Sequence, residues 1–140
     1  MTTNPITVQG IDHIVIRAKD VAAILDFYGR ILNCPLERQL DDLGLYQLRA
    51  GNALIDVVDA GGVLGRQAGG PPDPAARNMD HLCIAVEPWD ADAIGAHLQA
   101  HGIAVGEAVT RYGARGNGPS IYIHDPEGNT VELKGPPQQD

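Results

Sequence analysis

The chain has 140 residues, 44% hydrophobic and 20% charged, with 18 acidic against 10 basic side chains and a formal net charge of −8. That length suits one compact domain, which buries roughly 68% of its unfolded surface without staples. The negative balance, with no basic cluster, argues against a nucleic-acid or anionic-membrane partner.

No apolar run is long enough to span a bilayer and no secretory leader opens the chain, so a cytoplasmic protein is expected. Cys34 and Cys83 read as two reduced, partly buried thiols rather than a disulfide. IDHIVIRA, rich in β-branched residues, predicts a strand with His13, Val15 and Arg17 on one face and Ile14 and Ile16 on the other. Asp20 is the expected N-cap of a helix over VAAILDFYGRIL, in which Val21, Ile24, Leu25, Tyr28, Ile31 and Leu32 recur at helical spacing. Cys34-Pro35 ends it. LERQL, LYQLRA and ALIDVV, parted by DDLG and AGN, predict three consecutive antiparallel strands.

A stretch with five glycines and three prolines follows and reads as a linker over about 61–78. Then the order starts again. HLCIAVE predicts a strand, and Trp89, Ile94 and Leu98 share a helical face after Asp90, with Gly102 closing the helix. IAVGEAVT, SIYIHD and TVELKG predict three more strands, the last two joined by a tight DPEGN turn. The expectation is an α+β fold, a single domain over 1–140. It repeats one βαβββ module, about 9–60 and about 79–135.

The repeat gives a pair of chemical motifs its meaning. Asp-His opens the first strand of each half, in IDHIVI and MDHLCI, and an acid interrupts the last strand of each, Asp56 in ALIDVV and Glu132 in TVELKG. An ionised carboxylate in an apolar strand is costly unless it is paired or metal-bound. Taken singly, each residue is a satisfied core His or a solvated acid. Taken as a recurrence, two halves related by a pseudo-twofold would bring His13, Asp56, His81 and Glu132 together. Two imidazoles and two carboxylates suit one divalent ion of the Zn, Ni, Co, Mn or Fe group. The stretch RYGARGNG, 111–118, is expected to border the cleft as a loop able to close, with Tyr112 and Arg115 as substrate contacts. His97 and His101 are expected to be exposed, and His124 receives no role.

IDHIVIRAKDVAAILDFYGRILNC and SIYIHDPEGNTVELKG, on this duplicated plan, resemble the vicinal oxygen chelate superfamily. That group includes glyoxalase I, fosfomycin-resistance thiol transferases, extradiol dioxygenases and methylmalonyl-CoA epimerase. The resemblance runs from Ile11 to Gly135 and implies a cup-shaped open barrel around a metal site. Family metal positions fall on His13, Asp56, His81 and Glu132. A four-ligand set is similar to that of glyoxalase I or the epimerase, whereas the dioxygenases and thiol transferases generally use three. Asp56 departs from the Glu that glyoxalase I carries there, which leaves direct coordination by Asp56 open. Arg17 and Arg77 stand at offsets where some glyoxalases anchor the carboxylates of glutathione, a candidate cosubstrate. The Asn that the family places beyond the fourth-strand acid is Ala60 here.

The implied chemistry is isomerisation of a thiol–2-oxoaldehyde adduct to a 2-hydroxyacyl thioester through an enediolate. Glu132 would be the base and Asp56 a second proton carrier. Thiol transfer to an epoxide, epimerisation and extradiol ring cleavage are alternatives on the same site. A metal-free drug-binding resistance protein is another, against which four filled ligand positions count. A small-molecule substrate and a homodimer are expected, with the ligands meeting within one chain or across two.

Overall fold

The computed structural model describes residues 4–138. The first sheet holds β1 (His13–Ala18), β2 (Leu36–Leu40), β3 (Leu45–Ala50) and β4 (Ala53–Asp59), in the spatial order β1-β4-β3-β2. The second holds β5 (Leu82–Ala85), β6 (Val109–Gly113), β7 (Gly116–His124) and β8 (Thr130–Lys134), in the order β5-β8-β7-β6. The plan is the same twice. Three strands form an antiparallel meander, and the first strand lies parallel beside the last. A parallel pair needs a long crossover, and the helix and hairpin of each half fill it. Among the described residues no ladder joins the two sheets, so this α+β fold is a pair of sheets rather than a closed barrel.

β1 alternates as expected, with Ile16 and Ala18 buried and Val15 exposed. Asp20 caps α1 (Val21–Leu25), its Oδ1 accepting the Ala23 N–H at 3.1 Å. The expected single α-helix then changes pitch to a π-helical segment, Asp26–Ile31, in which the Leu32 N–H donates to the Phe27 carbonyl at 2.9 Å. The wider turn narrows the angle between successive side chains, which is about 100° in an α-helix. Phe27 and Tyr28, neighbours in sequence, are both buried and meet edge-on at 4.9 Å.

Further differences from the expected elements follow from packing. The linker contains a short helix, α2 (Val63–Gln67), laid so closely on the end of β4 that a Cβ on Gly65 would stand 2.1 Å from the Asp59 carbonyl. The strand expected at IAVGEAVT begins only at Val109. The glycine-rich 111–118 stretch is a regular hairpin of β6 with β7, pairing Arg111 with Gly118 and Tyr112 with Asn117. Its glycines clear space for Lys134 and for the backbone that follows it. A Cβ on Gly113 would lie 2.7 Å from Lys134 Cε, and one on Gly118 would lie 2.7 Å from the Pro136 carbonyl. α3 (Ala91–Ala100) begins at its Asp90 cap and ends before Gly102, whose φ of +75° suits a residue without Cβ. In place of two partly buried thiols, Cys34 is buried and Cys83 is exposed.

One hydrophobic cluster runs through both halves, with Ile16, Ile24, Phe27 and Val57 joined to Leu98, Ile121, Ile123 and Val131. Polar contacts fasten the joint. The Tyr28 hydroxyl donates to Asp125 Oδ2 at 2.8 Å, and the Glu127 carboxylate accepts the N–H groups of Lys19 and Asp20, each at 2.9 Å. Asn78 accepts the Arg17 N–H at 3.0 Å and donates to the Arg17 and Asn129 oxygens at 3.2 Å. Burial and the Asp125 charge push the Tyr28 phenol far above its ordinary pKa, so it stays a donor. Tyr28→Phe removes only that hydroxyl. The expected loss is about 1.5–3 kcal/mol of unfolding free energy in urea at unchanged m-value, the range for a hydrogen bond to a charged group. A variant as stable as the parent would leave the turn around Asp125 as the whole of its contribution.

Candidate metal centre

In the second half, parallel pairing sets Cys83 opposite Glu132, and His81 precedes Cys83 by two residues, so all three share one face. His81 Nδ1 donates to Asp80 Oδ2 at 2.6 Å, and its Nε2 stands 3.2 Å from Glu132 Oε1. Glu132 is only 5% exposed, and its other oxygen, Oε2, accepts the hydroxyl of fully buried Ser120 at 2.6 Å. Burial alone would raise the Glu132 pKa. Hydrogen bonds from Ser120, Tyr122 and Cys83, with the charge of His81, outweigh it and hold the carboxyl below its ordinary value. Loss of water around the Cys83 sulfur, with the Glu132 charge, pushes that thiol up to about 11, so it is a thiol at neutral pH. Asp80 is held low by its hydrogen bond to His81.

The first half repeats the arrangement. Val15 faces Asp56 in the register, and His13 precedes Val15 by two. His13 Nδ1 donates to Asp12 Oδ1 at 2.6 Å, and Nε2 stands 3.9 Å from Asp56 Oδ2. Asp56 is 4% exposed, and the Gln47 amide reaches both of its oxygens at 3.2 Å. The Asp12 hydrogen bond, then the Asp56 charge, raises the His13 pKa.

These donors fit a divalent ion. A carboxylate on Nδ1–H fixes the imidazole tautomer, as around metal-bound His, and leaves Nε2 turned to a buried acid. A bare ring nitrogen against an ionised carboxylate sets lone pair against lone pair, which is stable only with a proton or a cation between them. Atoms each about 2.1 Å from one cation stand roughly 3–3.5 Å apart at right-angled to tetrahedral openings. His81 Nε2 and Glu132 Oε1 already have that separation. Among the described residues no three His, Cys, Asp or Glu side chains form a metal-holding group. One chain therefore offers two half-sites of one His and one acid, rather than four ligands gathered together.

The other candidates have local partners. Arg17 Nη1 donates to the Ala68 and Gly70 carbonyls at 3.1 and 2.9 Å, tying β1 to the linker. Arg77 Nη1 donates to the Gly128 carbonyl and Thr130 Oγ1, both at 3.0 Å, and lines a 340 Å³ cavity with Lys19 and Glu127. Arg115 pairs with Glu87 at 3.1 Å, and Tyr112 is 81% exposed on β6. Sequence reasoning missed Asp12, Asp80, Ser120 and Gln47. The two aspartates were half of the recurring Asp-His pair. Ser120 carried a signal as well, a small polar residue on a core strand one diagonal step from the acid across the DPEGN hairpin.

A family model described as Glyoxalase/Bleomycin resistance protein/Dioxygenase superfamily matches residues 10–133. The glyoxalase domain-containing protein RDO1 of Mycosarcoma maydis is 34% identical over 129 residues, 91% of this chain and 69% of that protein. Lactoylglutathione lyase of Agrobacterium tumefaciens superposes with a TM-score of 0.67 at 21% identity, covering 94% of this chain and 96% of its own. TnmS3, an antibiotic binding protein of Streptomyces sp. CB03234, superposes with a TM-score of 0.68 at 19% identity, covering 94% and 98%. An enzyme and a binding protein fit the fold equally well, so the fold does not choose between them.

His13 offers a test of the Asp12 contact. Its raised pKa favours the protonated ring in the folded state, so that stabilisation is complete below the ordinary His range and fades as pH rises through the folded value. Asp12→Ala removes the leading cause. Its His13 titration midpoint, followed by NMR, is expected to move down, and any stability deficit to be confined to the acid side. An unmoved midpoint would show that Asp12 does not hold the ring.

Proposed function

Because the chain belongs to the Glyoxalase/Bleomycin resistance protein/Dioxygenase superfamily, we propose that it is a divalent-metal-dependent enzyme of the glyoxalase type, a lyase acting on a thiol–2-oxoaldehyde adduct. The observation that carries this reading is the duplicated pair, an imidazole whose Nδ1 is pinned by an aspartate and whose Nε2 meets a buried acid. His13, Asp56, His81 and Glu132 are the proposed ligands. A bound Zn, Ni, Co, Mn or Fe ion would supply Lewis-acid stabilisation of the negative charge that develops on substrate oxygen.

The chain's own groups do the rest. Glu132 is kept ionised by its lowered pKa; with Oε2 engaged by Ser120, Oε1 would serve in turn as ligand in the resting site and as base toward the substrate carbon. Asp56, which accepts from the Gln47 amide and faces His13 Nε2, would be a second proton carrier on the opposite face. Arg17 and Arg77 use Nη1 internally, and their Nε–H and Nη2, without a partner among the described residues, would take a carboxylate such as those of glutathione. Tyr112 and Arg115, on the β6–β7 hairpin, are proposed as further substrate contacts.

Since each His–acid pair lies in its own sheet, we place the complete centre in a homodimer, between the first half of one chain and the second half of its partner. Two unpaired thiols suit a reducing, cytoplasmic setting. No helix among the described residues is long and apolar enough to cross a membrane.

Metal analysis of the purified protein, with turnover of the methylglyoxal–glutathione hemithioacetal before and after Ni, Co or Zn loading, tests the assignment. His81→Ala is expected to lose metal retention and Glu132→Ala to lose turnover. If both variants hold metal and turn over normally, the assignment is wrong. A protein that takes up no metal yet retains a planar drug would move the reading to metal-free binding.

Mixed dimers test the shared centre. His13→Ala and His81→Ala chains, each inactive alone, are expected to regain about a quarter of the intact sites when unfolded and reassembled together, because half the dimers are mixed and each carries one undamaged site. No recovery would place all four ligands within one chain.

A further inference from the structure

Ser120 is fully buried on β7, between Pro119 and core residue Ile121, where a hydroxyl is costly unless it is hydrogen-bonded. Its partner is Glu132 Oε2 at 2.6 Å, a short, charge-assisted bond that a buried hydroxyl cannot exchange for water. One oxygen of the carboxylate is therefore committed to the sheet. The other, Oε1, is left turned to His81 at 3.2 Å.

The first half holds its acid differently. Gln47 Nε2 shares itself between both Asp56 oxygens at 3.2 Å, so neither is committed, and the His13 contact is longer at 3.9 Å. The half-sites thus match in plan and differ in how the acid is fixed. A carboxylate with two free oxygens can take a cation through one or both, and a hydroxyl on one of them removes the second mode.

Resting on the metal reading above, we propose that Ser120 is a positioning residue that makes Glu132 a one-oxygen ligand presented through Oε1, while Asp56, which no hydroxyl among the described residues holds, keeps both oxygens exchangeable. The two acids then divide the labour, with one fixed in direction and one able to swing.

Cobalt(II) is the probe, because its visible spectrum reports coordination number. Wild type, Ser120→Ala, Ser120→Thr and Ser120→Val are compared after far-UV circular dichroism has established that each is folded. Ser120→Ala is expected to weaken cobalt binding about tenfold, the scale found when an outer partner of a ligand is lost. It is also expected to lower the visible absorption as Glu132 engages through both oxygens. Threonine, which keeps the hydroxyl, restores both readings. Valine, which has the shape of threonine without its hydroxyl, behaves as alanine and carries the comparison if the alanine variant does not fold. A cobalt spectrum and affinity in Ser120→Ala equal to those of wild type would overturn this role while leaving the metal site standing. A wild type that takes up no cobalt would instead overturn the metal site, and this role with it.

Discussion

The parallel pairing of the first and last strand in each half is the constraint from which the candidate centre follows. It aligns Val15 with Asp56 and Cys83 with Glu132, so that the His two positions earlier stands on the same face as the acid. Side chains alternate along a strand, so a slip of one residue would turn both acids into the core and the core residues outward. The register is held from the other face, where Ile55, Val57, Val131 and Leu133 are buried in one cluster. Chemistry on one side of each sheet and packing on the other are therefore set by a single choice of pairing.

The same economy governs the joint between the halves. Asp125 accepts from the Tyr28 hydroxyl, from the N–H groups of Glu127 and Asn129, and from the Asn129 amide, so a buried carboxylate is fully satisfied. One residue shapes the last turn and also docks the first helix. The exposed ion pairs, Arg30 with Asp26 and Arg49 with Glu37, are of the kind that contributes little to stability. Specific geometry in this fold comes from buried acids with named donors, rather than from surface charge.

Much of this was legible in the sequence because it rests on period and repetition. The strand alternation of HIVIRA, the caps Asp20 and Asp90, the DPEGN turn and the recurring His and acid are all local signals, and they led to two sheets of identical order. What could not be read depends on contacts distant in the chain. The π-helical turn answers the shared burial of Phe27 and Tyr28. Gly113 answers to Lys134 and Gly118 to the Pro136 carbonyl, and the helix at Val63–Gln67 answers to the end of β4. Hairpin glycines look like a loop until the side chain threaded beneath them is known. The holding of Glu132 by Ser120 was hidden for another reason, since a hydroxyl's partner depends on which diagonal neighbour it reaches.

Each sheet takes all four of its strands from one half of the chain. During synthesis the first sheet has its full complement once Asp59 has left the ribosome, long before β8 exists. Its helix cannot be sealed so early, because Tyr28 and Phe27 wait for the turn at Asp125 and for the second half of the core. The nascent chain thus passes through an interval in which the helix beside a finished sheet leaves Phe27 and Tyr28 uncovered, the kind of exposed apolar surface on which chaperones act.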